Sequence, residues 1–221
     1  MRYFNIMLEI SCYAVSLFAQ NSRLLVCKDS NESVLVDPGG DAELLLDAIE
    51  KSGARLKQIW LTHSHLDHCG AVSQILQKHK VDLVAHMDES FMRSNVEAVA
   101  AMYGVPEGNF FNCPEPDIFV AEGDEVKVGR YVFKVLFTPG HSPGHVSFYN
   151  QENELIIAGD VLFAGSIGRT DLPGGDYEQL IRSVREKLFT LPAQTKVMSG
   201  HGPDTTIAKE IRDNPFFNGT L

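Results

Sequence analysis

Short apolar runs alternate with longer amphipathic stretches along the first half of the chain. Residues 23–27 and 34–36 are apolar runs of strand length, and the polar, turn-forming residues between them predict a pair of neighbouring strands. Apolar side chains then recur at the spacing of one helix face over residues 42–49. Asp41 is the expected N-cap of this helix, and Gly53 is its expected end.

The same alternation continues to the C-terminus. Period-two alternation over residues 131–137 predicts a hairpin with residues 126–128, since a glycine lies between the two runs. Asp176 and Gln179 form a capping pair, which predicts the start of a helix that carries Tyr177 inward. Further strands are predicted at 59–61, 81–85, 155–158 and 197–198, and further helices at 88–103 and 206–214.

The N-terminal residues have the pattern of a strand. Phe4, Ile6 and Leu8 alternate with polar neighbours. Asn5 and Glu9 interrupt any apolar core of a signal peptide, so we do not expect a cleaved leader. No stretch of the sequence approaches the roughly 18 uninterrupted apolar residues of a membrane span. We therefore expect no membrane partner.

The composition predicts a single globular domain over residues 1–221. Hydrophobic residues make up 44% and charged residues 22% of the chain, which supplies enough apolar material for a core. The formal net charge of −10 argues against a protein that binds nucleic-acid phosphates or anionic membranes. The sequence gives no indication of the oligomeric state.

The four cysteines show no C-x-x-C pairing, so the sequence predicts neither a disulfide framework nor a zinc ribbon. A reducing compartment fits this usage, and we expect a cytoplasmic protein. Cys69 adjoins His68 and could serve as a metal ligand, but we favour a small buried thiol at the start of a helix. The four are Cys12, Cys27, Cys69 and Cys113.

The densest candidate chemistry follows the apolar run 59–61, where three histidines and an aspartate occupy six consecutive positions. His63 and His65 are two residues apart, so in an extended segment they point to the same side and can bind one ion together. Asp67 and His68 fall where the chain turns into a helix, so they face another direction and could reach a second ion. Imidazole and carboxylate ligands without a thiolate suit zinc, iron or manganese, and they argue against a closed structural zinc site.

Further histidines and an aspartate stand at the ends of later strands. His141 and His145 lie in a loop whose glycines and prolines fix an irregular backbone path, and Asp160 and His201 each follow an apolar strand. Sheets in α/β arrangements place their ligands at such strand ends. The pattern occurs in each half of the chain, which predicts two similar halves with sheets face to face and helices outside. His86, alone at its strand end, is expected to be a hydrogen-bonded surface residue.

The order of the histidine and aspartate motifs resembles that of the metallo-β-lactamase superfamily across nearly the whole chain. The motifs are, in chain order, H-x-H-x-D-H, T-P-G-H-x-x-G-H, G-D and G-H-G. Within that superfamily, the chain is similar to the short hydroxyacylglutathione hydrolases, or glyoxalase II-like proteins. Three segments carry this similarity: GDVLF at 159–163, GRTD at 168–171 and GHGP at 200–203. The resemblance implies an α/β fold of the αββα sandwich type, with two mixed β-sheets face to face and helices outside.

The resemblance also implies a dinuclear site in the cleft between the sheet edges. Two divalent cations are implied, with zinc as the expected metal and iron or manganese as alternatives. The ligand set carried over is His63, His65 and His141 for the first ion, Asp67, His68 and His201 for the second, and Asp160 as a bridge between them.

Such a site supplies a nucleophile without a catalytic serine or cysteine. Two cations about 3.5–4 Å apart would lower the pKa of a bridging water enough to give hydroxide near neutral pH. That hydroxide would attack a thioester such as an S-acyl (hydroxyacyl) glutathione. Asp67 would orient it, and Asp160 would supply the negative charge that lets two cations lie so close. We therefore expect a metal-dependent thioester hydrolase that acts on a small acyl-thioester.

Several residues near these motifs are candidates for supporting roles. His145 repeats a Gly-His pattern but is not a ligand in the family, so we expect it to orient a ligand or a loop by a hydrogen bond. Asp37 and Asp171 lie in glycine-rich turns, where a turn-forming role and a ligand-orienting role are both open. Arg169 and Tyr177 are candidates for substrate contacts. Only 20 residues follow His201, so we expect no extra helical domain of the kind that carries the glutathione contacts in the long glyoxalase II enzymes, and glutathione recognition is not carried over.

Other functions fit parts of the pattern. A persulfide dioxygenase shares the Gly-Arg-Thr-Asp segment but uses a single iron held by two histidines and a carboxylate, whereas the second set of histidines favours hydrolysis. A lactonase or β-lactamase on the same scaffold is a further alternative. The negative charge disfavours a nuclease of this fold, and the complete set of expected ligands disfavours a non-enzymatic metal-binding module.

Overall fold

Two six-stranded β-sheets form the centre of the structure, a computed structural model that describes residues 7–219. The first sheet contains, in spatial and chain order, β1 (Leu8–Val15), β2 (Gln20–Cys27), β3 (Glu32–Val36), β4 (Arg55–Trp60), β5 (Asp82–Ala85) and β6 (Ile118–Phe119). Strands β1 to β3 pair antiparallel, and β3 to β6 pair parallel. The first sheet is therefore mixed, as predicted.

The second sheet is built from the C-terminal half. Its strands are β7 (Glu125–Val128), β8 (Tyr131–Phe137), β9 (Val146–Asn150), β10 (Leu155–Gly159), β13 (Lys196–Ser199) and β14 (Thr205–Thr206), while β11 (Leu162–Phe163) and β12 (Ser166–Ile167) form a separate small hairpin. The spatial order is β14-β13-β10-β9-β8-β7. Only the β10–β13 pair is parallel among the described strands of this sheet, so this sheet is mixed too.

Seven short α-helices connect or flank these strands within residues 7–219. They are α1 (Ala42–Ser52), α2 (Leu66–Cys69), α3 (Val72–Lys78), α4 (Ser90–Ser94), α5 (Val96–Met102), α6 (Tyr177–Ser183) and α7 (Ile207–Asp213). A 3₁₀ turn, Met87–Glu89, precedes α4, and a π-helical turn, Val184–Leu188, extends α6.

Three apolar clusters fill the spaces between four layers. Between the sheets, Trp60 of β4 packs against Phe148 of β9 with ring centroids 5.2 Å apart. A second cluster joins the outer face of the first sheet to α1, α3 and α5, and includes Leu45. A third joins the second sheet to α6 and α7 through Leu180 and Ile207. The fold is thus the predicted αββα sandwich, because each sheet buries one face against the other sheet and one against helices.

Most predicted elements occur near their expected positions. Residues 23–27 and 34–36 lie inside β2 and β3, and residues 131–137 form β8. The first helix begins at Ala42, and Gly53 ends it with a φ of 66°, a conformation that glycine adopts without strain. Strand β9 has no counterpart among the predicted elements, and its five buried residues follow the His141 loop directly.

Two expectations about helix geometry are wrong. Asp41 does not cap α1 with its side chain, because its carboxylate accepts a hydrogen bond from the Ser16 amide at 2.7 Å instead. The single helix predicted over 88–103 is divided at Asn95 into α4 and α5. The Asn95 side chain donates a hydrogen bond to the Phe91 carbonyl at 2.7 Å, which competes with the helical backbone pattern.

Two side chains lie in environments opposite to those expected. His86 is buried rather than on the surface, and its ring stacks on Phe137 with centroids 4.8 Å apart. Tyr177 is exposed, although its helix was predicted to carry it inward. Asp176 does cap that helix, since it accepts a hydrogen bond from the Gln179 amide at 2.9 Å. The buried face of the helix begins at Leu180.

The expectations for Phe4, Asn5 and Ile6 lie outside the described residues. Leu8 begins β1, in agreement with the alternating pattern. No helix in the described part of the chain is long and apolar enough to cross a membrane. The four cysteines are free, and Cys69 is fully buried, as expected for a small core thiol.

Candidate metal centre

The side chains predicted as metal ligands come together where strands of the two sheets end. The segment after β4, with the short helix α2, supplies four of them, the β8–β9 loop supplies one, and the residues after β10 and β13 supply one each. Because the two sheets face each other, these strand ends meet in one cleft. The seven residues are His63, His65, Asp67, His68, His141, Asp160 and His201.

The first group consists of three imidazoles. His141 Nε2 lies 3.2 Å from His63 Nε2 and 2.9 Å from His65 Nδ1. Burial lowers the pKa of His63 well below its usual value and lowers that of His65 to about 3, and the neighbouring histidines act in the same direction. Both rings are therefore neutral, which leaves nitrogen lone pairs available to a cation.

The second group combines a carboxylate with two imidazoles. His201 Nε2 lies 3.1 Å and His68 Nε2 4.0 Å from Asp67 Oδ2. Burial alone would raise the pKa of Asp67, but the hydrogen bond from His201 and the charge of His68 lower it overall. Asp67 is therefore ionised at neutral pH.

Asp160 lies between the two groups. Its Oδ1 is 3.3 Å from His68 Nε2, and its Oδ2 is 3.4 Å from His201 Nε2 and 3.7 Å from His141 Nε2. Burial opposes ionisation of Asp160, yet the surrounding histidines, His68 first, hold its pKa well below the usual range. One carboxylate thus faces members of both groups.

Two buried atoms in this cluster lack a well-aligned hydrogen bond. His68 Nε2 and Asp160 Oδ1 are near each other but are not oriented to bond, and neither finds another partner among residues 7–219. Unsatisfied buried polar atoms are rare in folded proteins, and they are expected where a metal ion completes the site. The donor set of imidazole and carboxylate, without a thiolate from the described residues, fits a divalent cation.

Asp37 orients His68 and also binds Thr62, at the start of the segment that carries four of the candidate ligands. Its Oδ2 lies 3.1 Å from His68 Nδ1, and its two oxygens accept hydrogen bonds from the amide and hydroxyl of Thr62, each at 2.7 Å. The residue has a φ of 50°, a strained conformation for an aspartate. Asp37 therefore holds His68 by the ring nitrogen that faces away from the cluster.

His145 is placed to support the cluster. Its Nε2 accepts a hydrogen bond from the Asp160 amide at 3.1 Å, and its Nδ1 lies 2.9 Å from Thr138 Oγ1. Both ring nitrogens are thus engaged away from the metal-ligand atoms. Since the amide fixes Nε2 as an acceptor, Nδ1 carries the proton and donates to Thr138. Burial lowers the pKa of His145 well below its usual value, so the ring is neutral.

Glu89 is a functional candidate that the sequence analysis does not identify. Its buried carboxylate accepts hydrogen bonds from the Ser64 amide at 2.8 Å and from the Ser142 hydroxyl and the Gly144 amide, both at 2.7 Å. One side chain thereby joins the His63–His68 segment to the loop that carries His141. Its position at a 3₁₀ turn between two elements gives no signal in the sequence pattern.

Close packing around Asp160 depends on two glycines. A Cβ added to Gly200 would lie 2.1 Å from Asp160 Oδ1, and one added to Gly168 would lie 1.8 Å from the Asp160 carbonyl oxygen. Neither distance is possible for a side chain. The glycines of the G-H-G and G-R-T-D segments therefore allow the backbone to approach the carboxylate that links the two groups.

A cavity of about 490 Å³ opens beside the cluster and is lined by five of the seven residues. Arg169 also lines it, and its carbonyl accepts a hydrogen bond from His141 Nδ1 at 2.8 Å, which orients that ring. Its guanidinium binds both oxygens of Asp171, at 2.7 and 2.8 Å, and lowers the pKa of that carboxyl to about 2. Asp171 and Tyr177 are not among the residues that line the cavity.

Comparison with known proteins identifies the family. The sequence profile of the metallo-β-lactamase superfamily matches residues 16–201, which contain every residue of the cluster. The chain belongs to the metallo-β-lactamase superfamily. Membership in this metallo-hydrolase superfamily indicates an enzyme with a metal site and a small-molecule substrate.

Individual members of the metallo-β-lactamase superfamily are similar to this chain over almost their full length. The hydroxyacylglutathione hydrolase GloC of Haemophilus influenzae is 40% identical over 96% of this chain and 99% of its own. The B3 metallo-β-lactamase BLEG-1 is 36% identical, with a TM-score of 0.86, over 96% of this chain and 100% of its own. TTHA1623, solved in a di-iron-bound form, is 36% identical, with a TM-score of 0.85, over 93% and 99% of the two chains.

Proposed function

We propose that this protein is a metal-dependent thioester hydrolase whose seven clustered side chains hold two divalent cations. The two sets of three donors each lie within 4.8 Å of one another, and Asp160 faces members of both. His63, His65 and His141 would hold the first cation and Asp67, His68 and His201 the second, with Asp160 placed to contribute to both. We propose a cytoplasmic location, in line with the four free cysteines.

The cations would supply Lewis acidity, which activates water and polarises the thioester carbonyl. The chain contributes the arrangement around them. Asp67 is kept ionised by His201 and His68, so it can accept a hydrogen bond from the attacking water and orient it. Addition of water across the C–S bond gives a carboxylic acid and a thiol. His145, Asp37 and the Arg169 carbonyl hold the ligand side chains in place through hydrogen bonds.

The observation that carries this proposal is the completeness of the Asp67, His68 and His201 group beside Asp160. A mononuclear dioxygenase would need only two histidines and one carboxylate. The 40% identity to a hydroxyacylglutathione hydrolase supports a thioester as the substrate class. The metal is proposed to be zinc, although the di-iron-bound relative keeps iron as the alternative.

The proposal is tested by measuring thiol release from S-lactoylglutathione and from simple acyl-thioesters. We expect release that chelation abolishes and that zinc, iron or manganese restores. His201→Ala should lose most of this activity, whereas His79→Ala, a histidine at the end of α3 and away from the cluster, should retain it. Oxygen consumption with glutathione persulfide, without thiol release from any thioester, would replace the hydrolase by the dioxygenase.

The likeness to BLEG-1 favours one second candidate, hydrolysis of a β-lactam. The same cluster could serve a cyclic amide, because metal-activated water attacks amide and thioester carbonyls alike. Hydrolysis of a chromogenic cephalosporin by the zinc-loaded protein, faster than that of any thioester, would make this candidate the main activity.

A further inference from the structure

The cavity beside the metal cluster is lined by two unlike sets of side chains. One set belongs to the cluster itself and comprises His65, Asp67, His141, Asp160 and His201. The other set is apolar apart from Ser64, Asn95, Ser166 and Arg169, and most of its apolar members are called the apolar wall below. This apolar wall consists of Phe18, Phe91, Met92, Val96, Val99, Tyr103, Phe163, Ile167, Leu172 and Pro173.

Only part of the apolar wall is buried in the protein core. Val96 is buried, but Phe91 is 72% and Tyr103 52% exposed, and Met92 and Val99 are half-buried. Large exposed apolar side chains are unfavourable in water unless a ligand or partner covers them. Their position in the same cavity as the reactive cluster indicates that the occupant of this space is the substrate.

Charge in the cavity does not match glutathione. Among the described residues that line it, Arg169 is the one lysine or arginine, and Asp171 already binds its guanidinium through two hydrogen bonds. Glutathione carries two carboxylates, and a site that recognises them needs free cationic donors. The apolar wall, in contrast, matches an alkyl or aryl group.

We propose that the apolar wall binds the acyl part of the substrate and selects thioesters of medium-length apolar acids over hydroxyacyl thioesters. This inference rests on the proposed thioester hydrolysis and names its substrate class. The volume of about 490 Å³ lies within the usual range for small-molecule sites and leaves room for a chain beside the cluster. The thiol part of the substrate contributes little to selection, because Asp171 already binds the guanidinium of Arg169.

The test uses the metal-loaded, full-length protein and a series of N-acetylcysteamine thioesters with acetyl, butyryl, hexanoyl, octanoyl and decanoyl groups. Because each buried methylene is worth about 0.8 kcal/mol, we expect kcat/KM to rise about two- to fourfold per methylene until the cavity is filled. S-lactoylglutathione should be hydrolysed more slowly than the octanoyl thioester.

A pair of methionine variants tests whether the dependence of kcat/KM on acyl chain length arises from the apolar wall. Met92→Gln keeps the length of the side chain but introduces a polar amide into the cavity, so kcat/KM should rise less steeply with acyl chain length than in the native protein. Met102→Gln is the control, because Met102 is 85% exposed on α5 and does not line the cavity. It should leave the whole series unchanged.

A binding measurement tests the apolar acyl site independently of thioester hydrolysis. Octanol should bind to the metal-free protein more tightly than butanol, and Met92→Gln should weaken octanol binding while Met102→Gln does not. Thiol release with equal rates along the series, or faster release from S-lactoylglutathione, would overturn the inference and leave the hydrolase intact. No thiol release from any thioester would overturn the hydrolase, and equal binding of both alcohols would overturn the apolar acyl site as well.

Discussion

The two halves of the chain supply the metal cluster in different ways. The first half places four side chains within six consecutive residues, 63–68, shortly after β4, so local backbone geometry determines their directions. The second half contributes His141, Asp160 and His201, one from each of three separated segments, and sheet order determines their positions. The parallel β10–β13 pair brings Asp160 next to the Gly200–His201 segment, whose Gly200 amide donates to the Gly159 carbonyl at 2.8 Å. One half is therefore specified by sequence spacing, and the other by topology.

Because of this difference, substitution of one candidate ligand in the second half should disturb the other ligands less than a substitution in the first half. A substitution at one strand end leaves the other strand ends in place, whereas the four side chains of the first half share one segment. Asp160 is the exception within the second half, since its carboxylate faces both groups of donors.

Among the variants that test this comparison, Asp160→Ala should change the metal content most. Without the carboxylate, two cations at short separation repel each other with less negative charge between them, so occupancy should fall at both positions. We expect about two metals per chain in the native protein and clearly less than one in the variant, measured by elemental analysis after dialysis. Asp171→Ala, which removes an exposed carboxylate paired with Arg169, is the control and should retain both metals. Full occupancy in Asp160→Ala would contradict a bridging role.

His201→Ala should affect one cation only. His201 belongs to the group with Asp67 and His68, whereas the first group consists of the imidazoles of His63, His65 and His141. We expect about one metal per chain and loss of most of the hydrolysis, by the same analysis and the thiol assay. A native stoichiometry of one metal under saturating zinc, unchanged in this variant, would instead support a mononuclear enzyme.

His145→Ala should have a smaller effect than His141→Ala, although the two histidines are four residues apart. His145 binds the Asp160 amide and Thr138, so its loss should keep most of the metal and lower kcat about 10- to 100-fold. His141→Ala should lose metal and activity together. Metal analysis and kcat measured on both variants decide the point, and equal metal loss in both would show that His145 is itself a ligand.

Glu89→Gln should have the smallest effect on the chemistry, because it changes the connection between the halves rather than a ligand. Glutamine keeps one accepting oxygen, but its NH₂ group can only donate, so at least one of the three hydrogen bonds that the carboxylate accepts is lost. This loss costs about 1–3 kcal/mol of unfolding free energy. For a chain of this size, that lowers the melting temperature by several degrees. Glu107→Gln, at an exposed position, is the control. An unchanged melting temperature in Glu89→Gln would show that the connection is dispensable.

The sequence predicts the fold and the members of the cluster because both leave local patterns. Alternation marks β8, helical spacing marks α1, and the H-x-H-x-D-H segment carries its chemistry in adjacent residues. The division of the ligands between two ions is a different matter. It rests on the resemblance to the family and stays a proposal, since spacing alone does not determine which strand ends face each other.

What the sequence does not predict depends on contacts between distant segments. Glu89 binds Ser142, which lies 53 residues later in the chain, so no local pattern reveals this contact. The sequence marks the Arg169 side chain as a candidate for substrate contact, yet its backbone carbonyl orients His141, and every residue type has a carbonyl. Asn95 ends α4 because its amide binds Phe91, which outweighs the helical spacing of the surrounding apolar residues.

The concentration of four candidate ligands in residues 63–68 also affects how metal and unfolding are coupled. A cation that binds only the native state stabilises it by mass action, by about 2.7 kcal/mol when its concentration is a hundred times the dissociation constant. The H-x-H-x-D-H segment remains contiguous when the sheets separate, so the unfolded chain keeps some affinity for the same cation. The melting temperature should therefore rise with free metal, but less steeply than in a protein whose ligands all came from separate strand ends.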